Sequence, residues 1–175
     1  DFFFFFTYLF YGKKKLTDDV ISFVYFIIFA RYWKLCKMLI AKKDKLAITF
    51  KDDKYTYEQL LRYSQLYADK FSLECKPGKI LICAQNSPEW CFAFYGAMRC
   101  KSIVVPLDAQ STKKEIEYVI NDCRPDIVFI SDDKKEMFAD MNLQNARLMT
   151  KDDVVLSDDK NIPATDIPLG NLEDV

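Results

Sequence analysis

The 175-residue sequence contains no histidine. This absence excludes Ser-His-Asp and Cys-His nucleophile sites, histidine-ligated zinc and the side chain that titrates nearest to neutral pH. Glycine is scarce, and the four glycines are widely spaced: Gly12, Gly78, Gly96 and Gly170. No G-x-x-x-x-G-K-[ST], G-x-G-x-x-G or G-x-S-x-G motif occurs. The sequence therefore lacks the familiar phosphate-binding loops and the hydrolase nucleophile elbow.

An excess of either charge is also missing. Lys and Arg number 25 against 26 Asp and Glu, so the formal net charge is -1. No broad positive field attracts phosphate backbones, and we expect no nucleic-acid partner. With 50% apolar and 29% charged residues, the composition is typical of one folded globular domain or a piece of a larger one.

The six cysteines form no C-x-x-C pair. They are Cys36, Cys75, Cys83, Cys91, Cys100 and Cys123. Several lie in apolar segments, where cysteine behaves as a small hydrophobic residue. We predict that they are reduced and structural, and that the protein is cytoplasmic.

Long hydrophobic runs are absent as well. The apolar stretches 1–11 and 20–30 are shorter than the roughly 20 residues that a membrane-spanning helix needs, and charged residues separate them. We predict no membrane span. Residues 1–22 are interpreted as an atypical apolar leader, for which a non-native origin is one explanation. The lysines at 13–15 are interpreted as a solvated charge run, with peripheral membrane contact as the weaker alternative.

Hydrophobic periodicity predicts alternating strands and helices over the rest of the chain. The predicted strands are 46–50, 54–56, 79–84, 102–107, 126–130 and 146–149, and the predicted helices are 28–40, 57–76, 88–100, 112–121 and 134–140. A turn at Asp52-Asp53 joins the first two strands into a hairpin. Three strand-helix-strand units in succession predict an α/β fold with a mainly parallel sheet and helices on both faces.

Two of these elements carry stronger expectations. The strand at 79–84 is an apolar run, which predicts burial on both faces, and the helix at 88–100 is apolar nearly all round, which predicts a buried helix. Helix starts are marked by Ser87 before Pro88 and by a capping box from Thr112 to Glu115. From residue 152 onward no period remains, and a loop is predicted.

The sequence offers no catalytic, cofactor-binding or metal-ligating residue. Three acidic pairs, at residues 52–53, 132–133 and 158–159, fall in predicted turns, where we interpret them as solvated turn residues rather than acid/base or metal groups. An aromatic cluster could line an apolar ligand pocket. We favour core packing for its members, which are Trp90, Phe92, Phe94 and Tyr95.

Four stretches, in this order and spacing, resemble the N-terminal region of AMP-forming acyl-CoA synthetases, members of the adenylate-forming superfamily. Residues 55–60 (YTYEQL) are similar to the family's T-Y-x-E-L helix start, and residues 86–90 match N-S-P-E-W. Residues 95–108 (YGAMRCKSIVVPLD) resemble A-x-L-K-A-G-A-x-x-V-P-L-D, and residues 115–123 (EIEYVINDC) resemble E-I-x-Y-I-L-N-D-S. One departure is local: Cys100-Lys101 replaces Ala-Gly, so the turn before the next strand must form without glycine.

The resemblance implies the large N-terminal domain of an adenylate-forming enzyme, of which this chain is an incomplete part. After the leader at 1–22, which the composition sets apart, the resemblance implies a partial AMP-binding domain at 23–151 and a loop at 152–175 that leads toward a phosphate-binding segment. The family's catalytic, adenine-binding and phosphate-binding residues would follow Val175, so none is assigned here.

The implied reaction has two steps. A carboxylate attacks the α-phosphate of ATP to form an acyl-adenylate and pyrophosphate, and a thiol then displaces AMP. ATP, Mg²⁺ and coenzyme A are expected for the full-length enzyme and a small carboxylic acid, with a fatty acid favoured, as its substrate; the fragment alone is expected to be inactive. Two alternatives stay open: a fragment of an amino-acid adenylation or acyl-carrier-protein ligase domain, and a non-catalytic α/β binding module.

Overall fold

The computed structural model describes residues 43–75, 78–157 and 159–165. The leader at 1–22, the lysines at 13–15 and the helix predicted at 28–40 lie outside the described residues. Among the helices of the described part, none is long and apolar enough to cross a membrane.

The first two strands form the predicted hairpin. Strand β1 (Leu46–Phe50) pairs antiparallel with β2 (Asp53–Thr56), and Phe50 is opposite Asp53. The predicted turn at Asp52-Asp53 is one residue late, because Asp53 already belongs to β2. The chain reverses at Lys51-Asp52, where Lys51 takes a φ of 54°.

The predicted α/β fold with a parallel sheet is confirmed. Four strands form it: β3 (Lys79–Cys83), β4 (Ile103–Pro106), β5 (Ile127–Ile130) and β6 (Arg147–Met149). They lie in the order β4-β3-β5-β6, and every pairing is parallel. All of β5 and all but the first residue of β3 are buried, as a strand covered on both faces requires.

The helices of the described part are α1 (Tyr57–Glu74), α2 (Pro88–Arg99), α3 (Lys113–Cys123) and the short α4 (Lys135–Ala139), with 3₁₀ helices at Asp132–Lys134 and Lys151–Asp153. Helices α2 and α3 begin at the predicted caps Ser87 and Thr112, and α1 begins at the predicted Tyr57. The Thr112 side chain accepts from the Glu115 N–H, and the Glu115 carboxylate accepts from the Thr112 N–H. The predicted capping box of α3 is therefore present, and Thr56 forms a second one with Gln59 on α1.

The strand residues alternate between two hydrophobic clusters because successive side chains of a strand point to opposite faces. Ile80, Ile82 and Phe129 belong to the cluster formed with α1 and α2. Leu81 and Val128 belong to the other cluster, which contains residues of α3 and α4. Helices thus cover both faces of the sheet, as predicted.

Helix α2 is less buried than predicted. Its buried positions share the face toward α1 and the sheet: Pro88, Phe92, Ala93, Gly96, Ala97 and Arg99. Trp90, Cys91, Phe94, Tyr95 and Met98 pack only partly against the core. The apolar composition correctly predicts that α2 packs against the core. It does not predict full burial, because a helix packed on one side keeps its other face accessible.

The turn from α2 to β4 forms without glycine, as the sequence requires. Lys101 takes the left-handed conformation with a φ of 58°. The Ser102 N–H donates to the Ala97 carbonyl at 3.0 Å and the Lys101 N–H donates to the Met98 carbonyl at 3.1 Å. These two bonds make a Schellman motif, whose left-handed position is usually glycine.

Candidate functional site

The strand order creates a crevice between β3 and β5. The chain leaves β3 through α2 on one face of the sheet, whereas it leaves β5 toward α4 on the opposite face. Neighbouring parallel strands whose connections diverge leave an opening at their carboxyl ends, and ligands of open α/β sheets bind there. A cleft of about 400 Å³ lies at this position.

The cleft has an apolar and a polar lining. The apolar residues are Phe50, Ala84, Phe129 and Ile130, and the polar residues are Gln85, Ser87, Glu89, Ser131, Asp132, Asp133 and Lys151. Five of them directly follow β3 or β5, two are the last residues of β5, two lie at the start of α2, and Lys151 follows β6. The β1–β2 hairpin contributes Phe50. Three strands of the parallel sheet and the hairpin therefore meet at one site.

Hydrogen bonds tie together the two loops that follow β3 and β5. The backbone N–H of Gln85 donates to Ser131 Oγ at 3.2 Å, and its side-chain amide donates to Asp133 Oδ2 at 3.4 Å. A hydrogen bond with Ser131, and a further one with Gln85, hold the pKa of Asp133 below its usual range. The bonded residues are 46 and 48 positions apart in the chain. These bonds therefore join two separate loops into one rim of the cleft.

Asp132 is the centre of an ion-pair network on this rim. Lys135 Nζ lies 2.8 Å from Asp132 Oδ1, and Lys151 Nζ lies 3.1 Å from Asp132 Oδ2. Lys135 also reaches Asp152 at 3.2 Å. Hydrogen bonds from Lys135 and Lys151 lower the pKa of Asp132, and Asp132 raises the pKa of both lysines. The network joins the loops after β5 and β6, and its exposure keeps its contribution to stability small.

The three acidic pairs of the sequence have different positions. Asp132 and Asp133 lie in a 3₁₀ helix at the cleft. Asp52 lies in the hairpin turn and Asp53 in β2. Asp159 accepts a hydrogen bond from the Asn161 N–H, and residue 158 lies outside the described residues. Among the described members of these pairs, Asp132 and Asp133 alone line the candidate site.

The aromatic cluster of α2 does not line the cleft. Phe92 is fully buried in the core, and its ring makes an edge contact with Tyr63 at 5.1 Å. Trp90 stacks on Phe94 with ring centroids 5.1 Å apart. Trp90, Phe94 and Tyr95 pack against the core from its edge, in agreement with the core-packing interpretation.

Sequence reasoning missed Gln85, Glu89 and Lys151 as lining residues of the cleft. A usable signal was present: polar residues directly follow buried strands at 85–87 and 131–133. The carboxyl ends of parallel strands share one edge of the sheet, so such residues converge. What the pattern could not provide was the order of the strands.

Residues 40–173 match the family model described as AMP-binding enzyme. The chain belongs to the AMP-binding enzyme family. It is 30% identical over 116 residues to the nonribosomal peptide synthetase ecdA of Aspergillus rugulosus, covering 65% of this chain and 2% of that protein. It is 28% identical over 131 residues to 4-hydroxybutyrate–CoA ligase 2 of Metallosphaera sedula, covering 70% of this chain and 22% of the ligase.

Solved structures agree with the fold. The N-terminal domain of FACL13 from Mycobacterium tuberculosis superimposes with a TM-score of 0.61 at 20% identity, covering 69% of this chain and 33% of that one. The resemblance to adenylate-forming enzymes is thus confirmed at the level of the family and of the fold. The chain spans less than a quarter of the length of the two curated relatives named above.

Three of the four motifs of this AMP-binding enzyme chain lie at junctions between elements. The first runs from β2 into α1, and the second holds the Ser87 cap of α2. The third contains the end of α2, its Schellman turn and β4, and the fourth lies in α3. Only the second reaches the cleft, through Ser87 and Glu89.

The lining of the cleft is more acidic than basic. Glu89, Asp132 and Asp133 outnumber Lys151 in the cleft lining, and Lys151 is already paired with Asp132. This arrangement repels a polyphosphate. Within the described ranges no three His, Cys, Asp or Glu residues are grouped so that they could hold a metal ion. No step of nucleotide chemistry is assigned to these side chains.

Proposed function

We propose that the chain is the N-terminal part of an ATP-dependent, AMP-forming fatty acyl-CoA ligase. The whole enzyme activates a carboxylic acid as an acyl-adenylate and transfers the acyl group to coenzyme A. Family membership over residues 40–173 supports the ligase chemistry. The preference for a fatty acid is supported by the N-S-P-E-W stretch at 86–90 and the V-V-P-L-D stretch at 104–108, which look more like fatty acyl-CoA ligases than amino-acid adenylation domains.

The observation that carries the proposal is the placement of the four motifs. The first leads from the β1–β2 hairpin into α1, the second and third flank α2 between β3 and β4, and the fourth lies in α3, so they build a scaffold rather than a reactive centre. In the cleft, Gln85 is paired with Ser131 and Asp133, and Asp132 is paired with Lys151; its carboxylates repel phosphate. We therefore propose that this chain alone is inactive and that later residues of a longer protein bind ATP, Mg²⁺ and coenzyme A.

A second candidate function is amino-acid adenylation or carrier-protein ligation. Two observations favour it: the 30% identity to a nonribosomal peptide synthetase, and 25% identity over 119 residues to a D-alanine–D-alanyl carrier protein ligase of Staphylococcus haemolyticus. It differs in the acid and the acceptor thiol. A third candidate, a non-catalytic α/β binding module, is favoured by the cleft at the carboxyl ends of β3 and β5.

A cytoplasmic location completes the proposal. The five cysteines within the described ranges are free thiols: Cys75, Cys83, Cys91, Cys100 and Cys123. Free thiols are compatible with a reducing compartment. The proposed substrate is a small carboxylic acid.

The first experiment reads the source DNA beyond the codon for Val175 and expresses the longer product. ATP–pyrophosphate exchange is then measured with fatty acids of several chain lengths and with single amino acids, using the 175-residue chain as the control. Exchange that depends on a fatty acid, followed by acyl-CoA formation, is the expected result.

Other results decide between the alternatives. Exchange that depends on an amino acid would replace the proposal with the adenylation domain. A stop codon directly after Val175, together with a stable product that catalyses no exchange, would replace it with the binding module. Exchange by the 175-residue chain itself would contradict the proposed inactivity.

A further inference from the structure

Two arginine side chains are buried beside the helix pair α1–α2. Arg62 on α1 and Arg99 at the end of α2 are each 7% exposed. Removing a guanidinium from water is costly unless its donors find acceptors inside the protein. The acceptors of both arginines include backbone carbonyls of the segment 162–165.

Arg99 connects three parts of the chain. Its Nε donates to Ser64 Oγ at 2.8 Å, and its Nη1 donates to Gln65 Oε1 at 3.2 Å, both on α1. Nη1 also donates to Thr165 Oγ1 at 3.2 Å, and Nη2 donates to the Thr165 carbonyl. Ser64 is fully buried and donates its own proton to the Leu61 carbonyl at 2.8 Å, which leaves its oxygen lone pairs for Arg99.

Arg62 makes a second attachment three residues earlier in the same segment. Its Nε donates to the Ile162 carbonyl at 3.3 Å. Its Nη2 lies 2.7 Å from Glu58 Oε1, one helical turn away on α1. This ion pair orients the planar guanidinium, so its remaining donors point in a defined direction.

Residues 159–165 are attached to the rest of the protein mainly through their backbone atoms. They form a turn in which the Ile162 N–H donates to the Asp159 carbonyl at 3.0 Å. Ala164 is half-buried and packs against the core. Pro163 carries no N–H and disfavours a helix, and no residue from 159 to 165 belongs to a helix or strand. The two arginine contacts therefore replace the ladder of bonds that a regular element would have.

We propose that Arg62 and Arg99 are positioning residues that clamp residues 162–165 onto α1 and α2 and so fix the position of Thr165, from which the chain continues. The fixed fork of a guanidinium suits this role because one side chain can bridge several oxygens. The clamp stands on its contacts alone and does not require the proposed function. If the proposed function is correct, the clamp sets the start of the segment that leads to the phosphate-binding residues.

Hydrogen–deuterium exchange of the chain tests the clamp. The variants are Arg62→Met and Arg99→Met, which remove the donors and keep an apolar stem. The matched control is Arg147→Met on β6, since Arg147 is exposed, pairs with Glu74 at 3.8 Å and makes none of the bonds to residues 162–165 described above. Removing either attachment should raise the exchange of the Asn161 and Ile162 amides about tenfold, as expected for the loss of a partly buried hydrogen bond in a locally opening segment.

The reference is the exchange of β3 and β5. In the clamp variants these strands should exchange at the wild-type rate, and Arg147→Met should alter neither region. Unchanged exchange at 161–162 in both clamp variants would overturn the proposal. A uniform rise across the segment and both strands would also overturn it, because it would indicate a general structural role for the arginines.

A milder variant covers the case in which Arg99→Met does not fold. Thr165→Val removes one acceptor of Arg99 and leaves the helices intact. Faster exchange at residues 161–162 in both Thr165→Val and Arg62→Met supports the clamp. Unchanged exchange at these residues in both variants contradicts it. Failure of the longer protein to activate any acid would refute the proposed function and leave these exchange results untouched.

Discussion

A Cβ atom placed on Gly96 would lie 2.6 Å from the Cβ of Tyr67, which is closer than real Cβ contacts occur. The same atom would lie 3.1 Å from the Ala68 nitrogen and from the Ser64 carbonyl oxygen, both backbone atoms of α1. Helices α1 and α2 therefore cross where only a hydrogen atom fits. This close approach of α1 and α2 brings Arg99 within reach of Ser64, whose Oγ accepts from Arg99 Nε at 2.8 Å.

Gly96→Ala should destabilise the fold. Alanine is intrinsically better than glycine in a helix by about 1 kcal/mol, but overpacking against a backbone costs about 1–3 kcal/mol. We expect a net loss because the nearest atoms are not flexible side-chain ends. Urea unfolding followed by circular dichroism measures it. Tyr118→Ala on α3 is the control, since Tyr118 is 72% exposed, and a midpoint for Gly96→Ala at or above wild type would contradict the prediction.

Lys101→Gly should stabilise the protein by about 1 kcal/mol, because a non-glycine residue in the left-handed conformation costs about this amount. The Schellman bonds to Ala97 and Met98 use backbone atoms and survive the change. A change to glycine in a helix interior has the opposite sign, so Glu117→Gly in the middle of α3 should destabilise by a similar amount. Thermal and urea unfolding of both variants measure the two changes in stability. If both variants were stabilised, or both destabilised, by the same amount, the left-handed conformation of Lys101 could not be the cause.

Asp132→Asn should weaken the response of stability to acid. The pKa of Asp132 is lowered in the folded state by hydrogen bonds from Lys135 and Lys151. Its contribution is therefore present above the unfolded pKa of about 3.9 and is lost as the pH falls toward the folded value. Unfolding free energies measured from neutral to strongly acidic pH should fall less steeply below about pH 5 in the variant. Asp122→Asn on α3 is the control, and parallel curves for wild type and Asp132→Asn would contradict the prediction.

Cys83 should resist alkylation in the folded protein. Its side chain is fully buried, and burial raises the pKa of its thiol to about 11, so little thiolate exists at neutral pH. Cys123 provides an internal comparison, because it is only partly buried and Lys79 opposes the rise of its pKa. Iodoacetamide labelling read by peptide mass spectrometry should modify Cys123 first and Cys83 only after unfolding in guanidinium chloride. Equal labelling of both in the native protein would exclude a closed sheet face around Cys83.

Local rules of the sequence predicted most of the elements correctly. The capping box at Thr112, the cap at Ser87 and the apolar runs of β3 and β5 depend on neighbouring residues, and each appears as predicted. The small errors also have local causes. The hairpin turn falls on Lys51-Asp52, because Lys51 accepts a positive φ that its residue type does not signal.

The cleft could not be predicted because its parts are distant in the chain. Gln85 reaches Ser131 only because β5 lies beside β3 and not beside β4. Sequence periodicity shows that strands exist and which faces they bury, but it does not show which strands are neighbours in the sheet. The acidic pair at 132–133 therefore looked like an ordinary turn.

The sequence by itself determined an α/β domain of the adenylate-forming type, with its caps, its buried strands and its lack of a phosphate loop. Only the tertiary structure decided that Arg62 and Arg99 are buried and that they hold residues 162–165. The physical reason is that a charged side chain is buried only where hydrogen-bond acceptors offset the cost of removing it from water. Those acceptors come from residues 100 and 66 positions further along the chain, and folding alone brings them together.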